Sequence, residues 1–261
     1  ERVLGPEHTE VAQSLNNLAE LYRAKGDYSR AEPLFLQGIA IWERALEPDH
    51  PDVTSSPLDF AALHDNLATL YRSIGNYERA EPHQQWALTI RERLLGPTNP
   101  EVATSLNNLG MLYLAKRDYA RAEFLYQRAL SVQEQTLGRD HRNVATSLNN
   151  LATVAEAKGD YAQAVSFYAS SLAINEKALG HEHPDVAVAL GNLAGLYWAR
   201  DDVKLALQMQ ERGISIEDRN AARELIVGAD EQRRAYMYRL RPMTEITISL
   251  HIQSAPQFEN A

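Results

Sequence analysis

The chain has no cysteine. That removes disulfides, thiolate metal ligands and cysteine nucleophiles together, and it fits a reducing compartment, so a cytoplasmic location is expected. It has no apolar run near the ~20 residues a membrane span needs. It also lacks a basic excess: formal charge is −9, and the pI is about 5.4. Nucleic acid is therefore excluded as an expected partner, because phosphate binding shows as a basic face. No basic segment followed by an apolar one opens the chain, so no secretory signal is visible. Missing too are the Gly-x-Ser-x-Gly nucleophile elbow and the glycine spacing of a phosphate loop. Mean hydropathy is −0.40, and 44% of the 261 residues are hydrophobic. These values describe a soluble protein whose many charges form a solvated surface.

What is present is a repeat. SLNNLAELYRAKGDYSRAE at 14–32 returns as SLNNLGMLYLAKRDYARAE at 105–123 and SLNNLATVAEAKGDYAQAV at 147–165. Degenerate copies lie at 63–81 and 190–208. Asn17, Asn66, Asn108, Asn150 and Asn192 mark the register, at spacings of 49, 42, 42 and 42 residues. A fixed period of this size predicts a solenoid of stacked units, and function on an extended surface instead of one catalytic cleft.

Each copy reads as two antiparallel helices. Leu15, Leu18 and Tyr22 recur at i, i+3 and i+7, an apolar stripe at helical period. Lys25-Gly26-Asp27 breaks it, with Gly26 suited to the left-handed residue after a helix. The second helix runs from about Tyr28 to Leu46, with Ala31, Phe35 and Ile39 four residues apart. It ends in Leu-Gly in later copies, and the next helix opens at His50-Pro51, Asn99-Pro100 or His183-Pro184, where proline lacks only an N–H that would go unpaired. Ala19, Ala68, Gly110, Ala152 and Ala194 share one position, and Ala31, Ala80, Ala122, Ala164 and Ala206 another. Small side chains there let paired helices approach closely.

Leu-Ala/Gly-x-x-Tyr in the first helix, Gly-Asp/Asn-Tyr at the turn, and Ala with an aromatic in the second helix resemble tetratricopeptide repeats. The 42-residue period with LGPxHPxVA linkers resembles the kinesin light chain type. The resemblance implies an all-α fold: a right-handed α-solenoid of about five helix pairs over 1–217, with repeats near 9–46, 52–95, 99–137, 141–179 and 183–217, plus a C-terminal helical extension over 218–261. Repeat 2 departs by seven extra residues around Val53–Phe60, and His64 replaces the usual Leu. In repeat 5, Asp201 stands where Gly is expected, and Val203 replaces Tyr, which suits a terminal unit.

Two ends of the chain carry further expectations. Residues 1–8 match the ends of later repeats, such as 92–97, and read as the last turn of a helix that begins earlier, in a longer array. Beyond Glu217, 221–227 and 230–240 read as two more helices split by Gly228. Residues 245–253 alternate like a strand, but a lone strand lacks a pairing partner, so a helix is favoured there. Residues 212–256 resemble the segment that joins repeats to a caspase-like CHAT protease domain in bacterial TPR–CHAT proteins. That resemblance implies a protease domain beyond Ala261 and no enzyme within this chain.

The candidate site is the side of the first helix opposite its apolar stripe. In tetratricopeptide superhelices this side lines the concave groove, and its Asn resembles the one that binds peptide backbone or a carboxylate. Asn17, Asn66, Asn108, Asn150 and Asn192 are the candidates, since an amide both donates and accepts. Equally open is a role in fixing the stacking of neighbouring helices. Arg23 and Arg72 occupy equivalent positions, followed by Leu114, Glu156 and Trp198. They suit a protein or peptide ligand with an acidic segment, unless each pairs with a carboxylate on its own surface. His181-x-His183 reads as a linker cap, because His8, His50, His141 and His183 share that position. Trp42, Trp86 and Trp198 read as packing residues. No catalytic residue, metal ligand or cofactor is expected. A structural or self-associating array, using the convex face or the ends, is the alternative function.

Overall fold

The structure, a computed structural model, describes residues 5, 7–46 and 57–227, with side chains to residue 222. Ten helices form among the described residues, and no strand. In the first unit, Glu1–Arg139, lie α1 (Thr9–Ala24), α2 (Tyr28–Ala45), α3 (Pro57–Ser73), α4 (Tyr77–Leu95), α5 (Pro100–Ala115) and α6 (Tyr119–Leu137). In the second, Asp140–Ala261, lie α7 (Arg142–Ala157), α8 (Tyr161–Leu179), α9 (Pro184–Ala199) and α10 (Val203–Val227). Each odd-numbered helix packs along the even one that follows it, giving the α-solenoid of five pairs that the period predicts.

Local chemistry sets the helix ends. His8, Asn99, His141 and His183 cap α1, α5, α7 and α9, each accepting from the backbone N–H two residues on. The shared linker histidine is thus a cap at three positions. Asp27, Asn76, Asp118 and Asp160 cap α2, α4, α6 and α8 by accepting from the N–H three residues on. In the turn between paired helices, Gly26 adopts φ +76°, and Arg117 and Asp201 are forced into the same left-handed region at 60° and 63°.

The small residues behave as expected. Ala19, Ala31, Ala122, Ala152 and Ala164 are fully buried. A Cβ on Gly110 would fall 2.6 Å from the buried ring of Tyr126. The apolar stripe needs one correction. In α1 the buried residues are Thr9, Val11, Ala12, Asn16 and Ala19, while Leu18 is 41% and Leu21 51% exposed. Their counterparts Leu67, Leu70, Leu109, Leu112, Leu193 and Leu196 are at most 4% exposed. In those repeats this side of the first helix also packs on the preceding pair, α3 on α2, α5 on α4 and α9 on α8.

The second helix of repeat 5 does not stop near Glu217: α10 runs unbroken through 221–227. The expected helix at 230–240, the strand-or-helix at 245–253, the helix end at 1–4 and the helix start at His50-Pro51 lie outside the described residues. Most of the seven-residue insertion does as well, and α3 is described from Pro57.

Candidate protein-binding face

The five marker asparagines divide into two kinds. Asn66 Nδ2 donates to Asn16 Oδ1 at 2.9 Å, and Asn192 Nδ2 donates to Asn149 Oδ1 at 2.9 Å. Each of these bonds joins the first helices of successive repeats, so Asn66 and Asn192 fix stacking. Between repeats 2 and 3 the rung changes. Asp65 stands where Asn16 and Asn149 stand, and its carboxylate is taken by Gln84 Nε2 and the Arg91 guanidinium. Arg91 in turn donates to Ser105 Oγ at 2.6 Å. Burial pushes the Asp65 carboxyl above its ordinary range, and Arg91 acts against that. Asn108 therefore makes no hydrogen bond among the described residues, and it sits half-buried on α5. Asn17, on α1, is exposed and accepts from Gln13 Nε2 at 3.3 Å. Asn150 is half-buried on α7.

The two arginines differ as well. Arg23 forms a two-pronged pair with Glu20 on its own helix, both contacts 2.8 Å. The guanidinium of Arg72 has no carboxylate partner among the described residues. Its Nη1 points at Met111 Sδ, 3.5 Å away on α5. Met111 lies one turn from Asn108, so Arg72, Met111 and Asn108 form one patch. Beneath it, Tyr126 is fully buried, and its hydroxyl has no partner. Burial raises the Tyr126 pKa, and the nearby charge of Arg72 opposes the rise. In the second unit, Glu156 accepts from Tyr168 OH at 3.1 Å, while Trp198 is half-buried. No group of three metal-ligating side chains occurs among the described residues, and no helix there is long and apolar enough to cross a membrane.

Family models described as tetratricopeptide repeat match residues 59–135, 116–177 and 143–217, and a second matches 11–52. The chain belongs to the tetratricopeptide repeat family. Among solved structures it is similar to BtubC (BKLC) from P. vanneervenii, at 26% identity and TM-score 0.68, over 85% of this chain and 83% of that one. It is also similar to a Podosopora anserina putative kinesin light chain with nearly identical TPR-like repeats, at 25% identity and TM-score 0.67, over 82% of this chain and 98% of that one. The apo form of RapI shares the fold at 13% identity and TM-score 0.67, over 88% of this chain and 83% of that one. No curated protein sequence matches. Tetratricopeptide arrays are generally protein–protein interaction modules, and the kinesin light chain likeness extends over most of this chain.

Two features of this tetratricopeptide array escaped the sequence reading. The first is a clasp between repeats. Tyr71 OH donates to Glu32 Oε1 at 2.9 Å, Arg79 pairs with the same carboxylate at 2.8 Å, and the Arg79 guanidinium lies 4.2 Å above the Tyr71 ring. One repeat on, Tyr113 OH donates to Glu81 at 2.7 Å, with Arg121 4.4 Å above its ring and Lys116 paired to Glu81. The recurrent Ala-Glu of the second helix was the available signal. The second is what surrounds His64, whose replacement of Leu is visible in the sequence but whose partners are not. Its Nδ1 lies 2.9 Å from Nδ1 of His83, and its Nε2 is buried without a partner. The rings of Phe60, at 4.6 Å, and Trp86, at 6.4 Å, flank it. Burial, then the charge of His83, holds the His64 pKa down to about 4.

Proposed function

We propose that this array binds a peptide or a partner protein on the first-helix face, and that it serves as the recognition arm of a CHAT-type caspase-like protease in the cytoplasm. The observation that supports the binding surface is the patch of Arg72, Met111 and Asn108. It combines a cation lacking a carboxylate, a soft thioether and an amide with unused donors and acceptors. That combination suits an extended segment with an acidic side chain, its backbone held by Asn108 and its carboxylate by Arg72. Within the first unit Asn17 extends the face and Asn66 holds its helices in register; in the second unit Asn150 lies on a first helix of its own, and Asn192 does the stacking. The CHAT association rests on the resemblance of residues 212–256. On this reading the chain acts by recognition and supplies no catalytic group. Capture of partners from extract, beside Arg72→Ala and Asn108→Ala variants that unfold at the parent temperature, tests the reading. A partner released by both variants supports it, and a partner retained by both sinks it.

A second reading is favoured by one observation, the exposed Leu18 and Leu21 on α1. These positions are buried under the preceding helix pair in repeats 2, 3 and 5, so the face fits a further pair of the same type. It supports assembly through this face of α1. Sedimentation of the chain over a hundredfold concentration range, with and without Leu18→Lys and Leu21→Lys, separates the two. Self-association lost on those changes favours assembly.

A further inference from the structure

In the second unit a notch of about 240 Å³ opens between α7 and α9, with Ser171 and Asn175 of α8 as its floor. Its walls are two first helices, so its mouth lies on the first-helix face, where Thr146 and Val188 are exposed. We infer that this notch is a binding site for the side chain of an arginine carried by the partner. The inference deepens the proposed function and rests on its reading of the first-helix face as the partner surface.

The first unit supplies the argument, because there the equivalent space is filled. Two periods before Asn175 stands Arg91, whose guanidinium donates to Asp65 and, at 2.6 Å, to Ser105 Oγ, with Glu101 3.9 Å away. The corresponding residues in the second unit are Asn149 for Asp65, Ala189 for Ser105 and Asp185 for Glu101. Replacing Arg91 by the shorter Asn175 vacates the space of the guanidinium and keeps acceptors around it. Asn149 Oδ1 accepts from Asn192 and has a second lone pair, Ser171 Oγ donates to Ala145 O at 2.8 Å and has lone pairs to spare, and Asp185 is the carboxylate at the mouth. The Asn175 amide forms no hydrogen bond among the described residues. Arg142, 3.9 Å from Asp185 and largely exposed, is a loose competitor that an incoming guanidinium displaces.

Size and shape narrow the occupant. Whole small-molecule ligands occupy pockets of about 300–1,000 Å³, so this notch suits one side chain. Its acceptors surround the space on several sides, which a planar five-donor fork satisfies and a point-like ammonium does not.

The test uses the whole chain and three capped tripeptides, glycine–X–glycine, with X as arginine, lysine or citrulline. The readout is the side-chain amide resonances of Asn149 and Asn175. The arginine peptide is expected to shift both saturably, with Kd on the order of 1 mM, as one side chain allows. Lysine and citrulline peptides are expected at least about fivefold weaker, and Asp185→Asn weakens the arginine peptide at least about threefold. Asn175→Arg, which refills the notch, should abolish the shift and raise the Tm. Equal shifts from citrulline, or no saturable shift, overturn the assignment. So does an unchanged affinity in a folded Asn175→Arg variant. A captured partner that Asn108→Ala releases but Asn175→Arg retains undiminished also overturns the notch, while leaving the first-helix face as the binding surface.

Discussion

Asn66 Nδ2 lies 2.9 Å from Asn16 Oδ1, and this one bond assigns the most regular residue in the sequence to stacking in that repeat. Asn16 is 7% exposed, so removing its partner leaves a buried acceptor unsatisfied. Asn66→Ala is expected to cost about 1–2 kcal/mol in urea unfolding, and Asn16→Ala a similar amount. The double variant should cost less than the sum, because both changes remove one bond. Asn17→Ala, on an exposed amide, should lie within about 0.5 kcal/mol of the parent.

The Tyr71–Glu32–Arg79 clasp predicts coupling across the boundary between repeats 1 and 2. Burial, followed by the bond to Glu32, pushes the Tyr71 pKa up to about 12, so the phenol remains a donor at all physiological pH. Tyr71→Phe should cost about 1–2 kcal/mol. A cycle with Glu32→Ala should show a coupling of at least about 0.5 kcal/mol. Perfect additivity would remove the clasp from the account.

His64 makes stability depend on pH. Its folded pKa, about 4, lies below the ordinary 6.5, so folding favours the neutral ring. The stabilisation this represents is complete above pH 6.5 and is lost as pH falls toward 4, amounting to about 3 kcal/mol at most. His64→Leu restores the residue of the other repeats, and it should flatten the Tm profile between pH 4 and 6.5 and raise stability at pH 7. A profile unchanged by His64→Leu would mean that other groups set the acid limit.

Backbone and packing constraints give opposite signs at two positions. Arg117 at φ 60° occupies the place of Gly26 and Gly159, so Arg117→Gly should stabilise by about 1 kcal/mol. At Gly110 a methyl meets the rigid Tyr126 ring, so Gly110→Ala should destabilise by about 1–3 kcal/mol. Thermal melts of the two variants side by side read both signs.

The fold was legible because it is written five times. Period, glycine turns, linker caps and small-residue positions all recur, and one degenerate copy such as 190–208 is corrected by the others. The site was less legible for the same reason. A residue that recurs, such as Asn66, is conspicuous whether it stacks or binds. Only geometry separates it from Asn108, whose rung is broken by the single change to Asp65 and the reach of Arg91. Arg23 and Arg72 look alike in sequence, but Glu20, one turn before Arg23, answers the first, and Thr69 stands in the same place before the second. The exposure of Leu18 and Leu21 depends on what packs beside α1, which a periodic pattern cannot express. The clasp residues alternate between repeats, so Tyr71 meets a Glu that lies 39 positions earlier.

Recognition by Arg72 and Asn108 is tested by a single comparison. Partners captured from extract by the parent chain would be compared with those captured by Arg72→Ala/Asn108→Ala, Asn17→Ala serving as a second surface change and Asn66→Ala as a stacking control. Circular dichroism would first establish equal helicity. The expected result is a partner lost by the Arg72/Asn108 variant, weakened by Asn17→Ala, and retained by Asn66→Ala. A partner held equally by all four chains would place recognition elsewhere and contradict it.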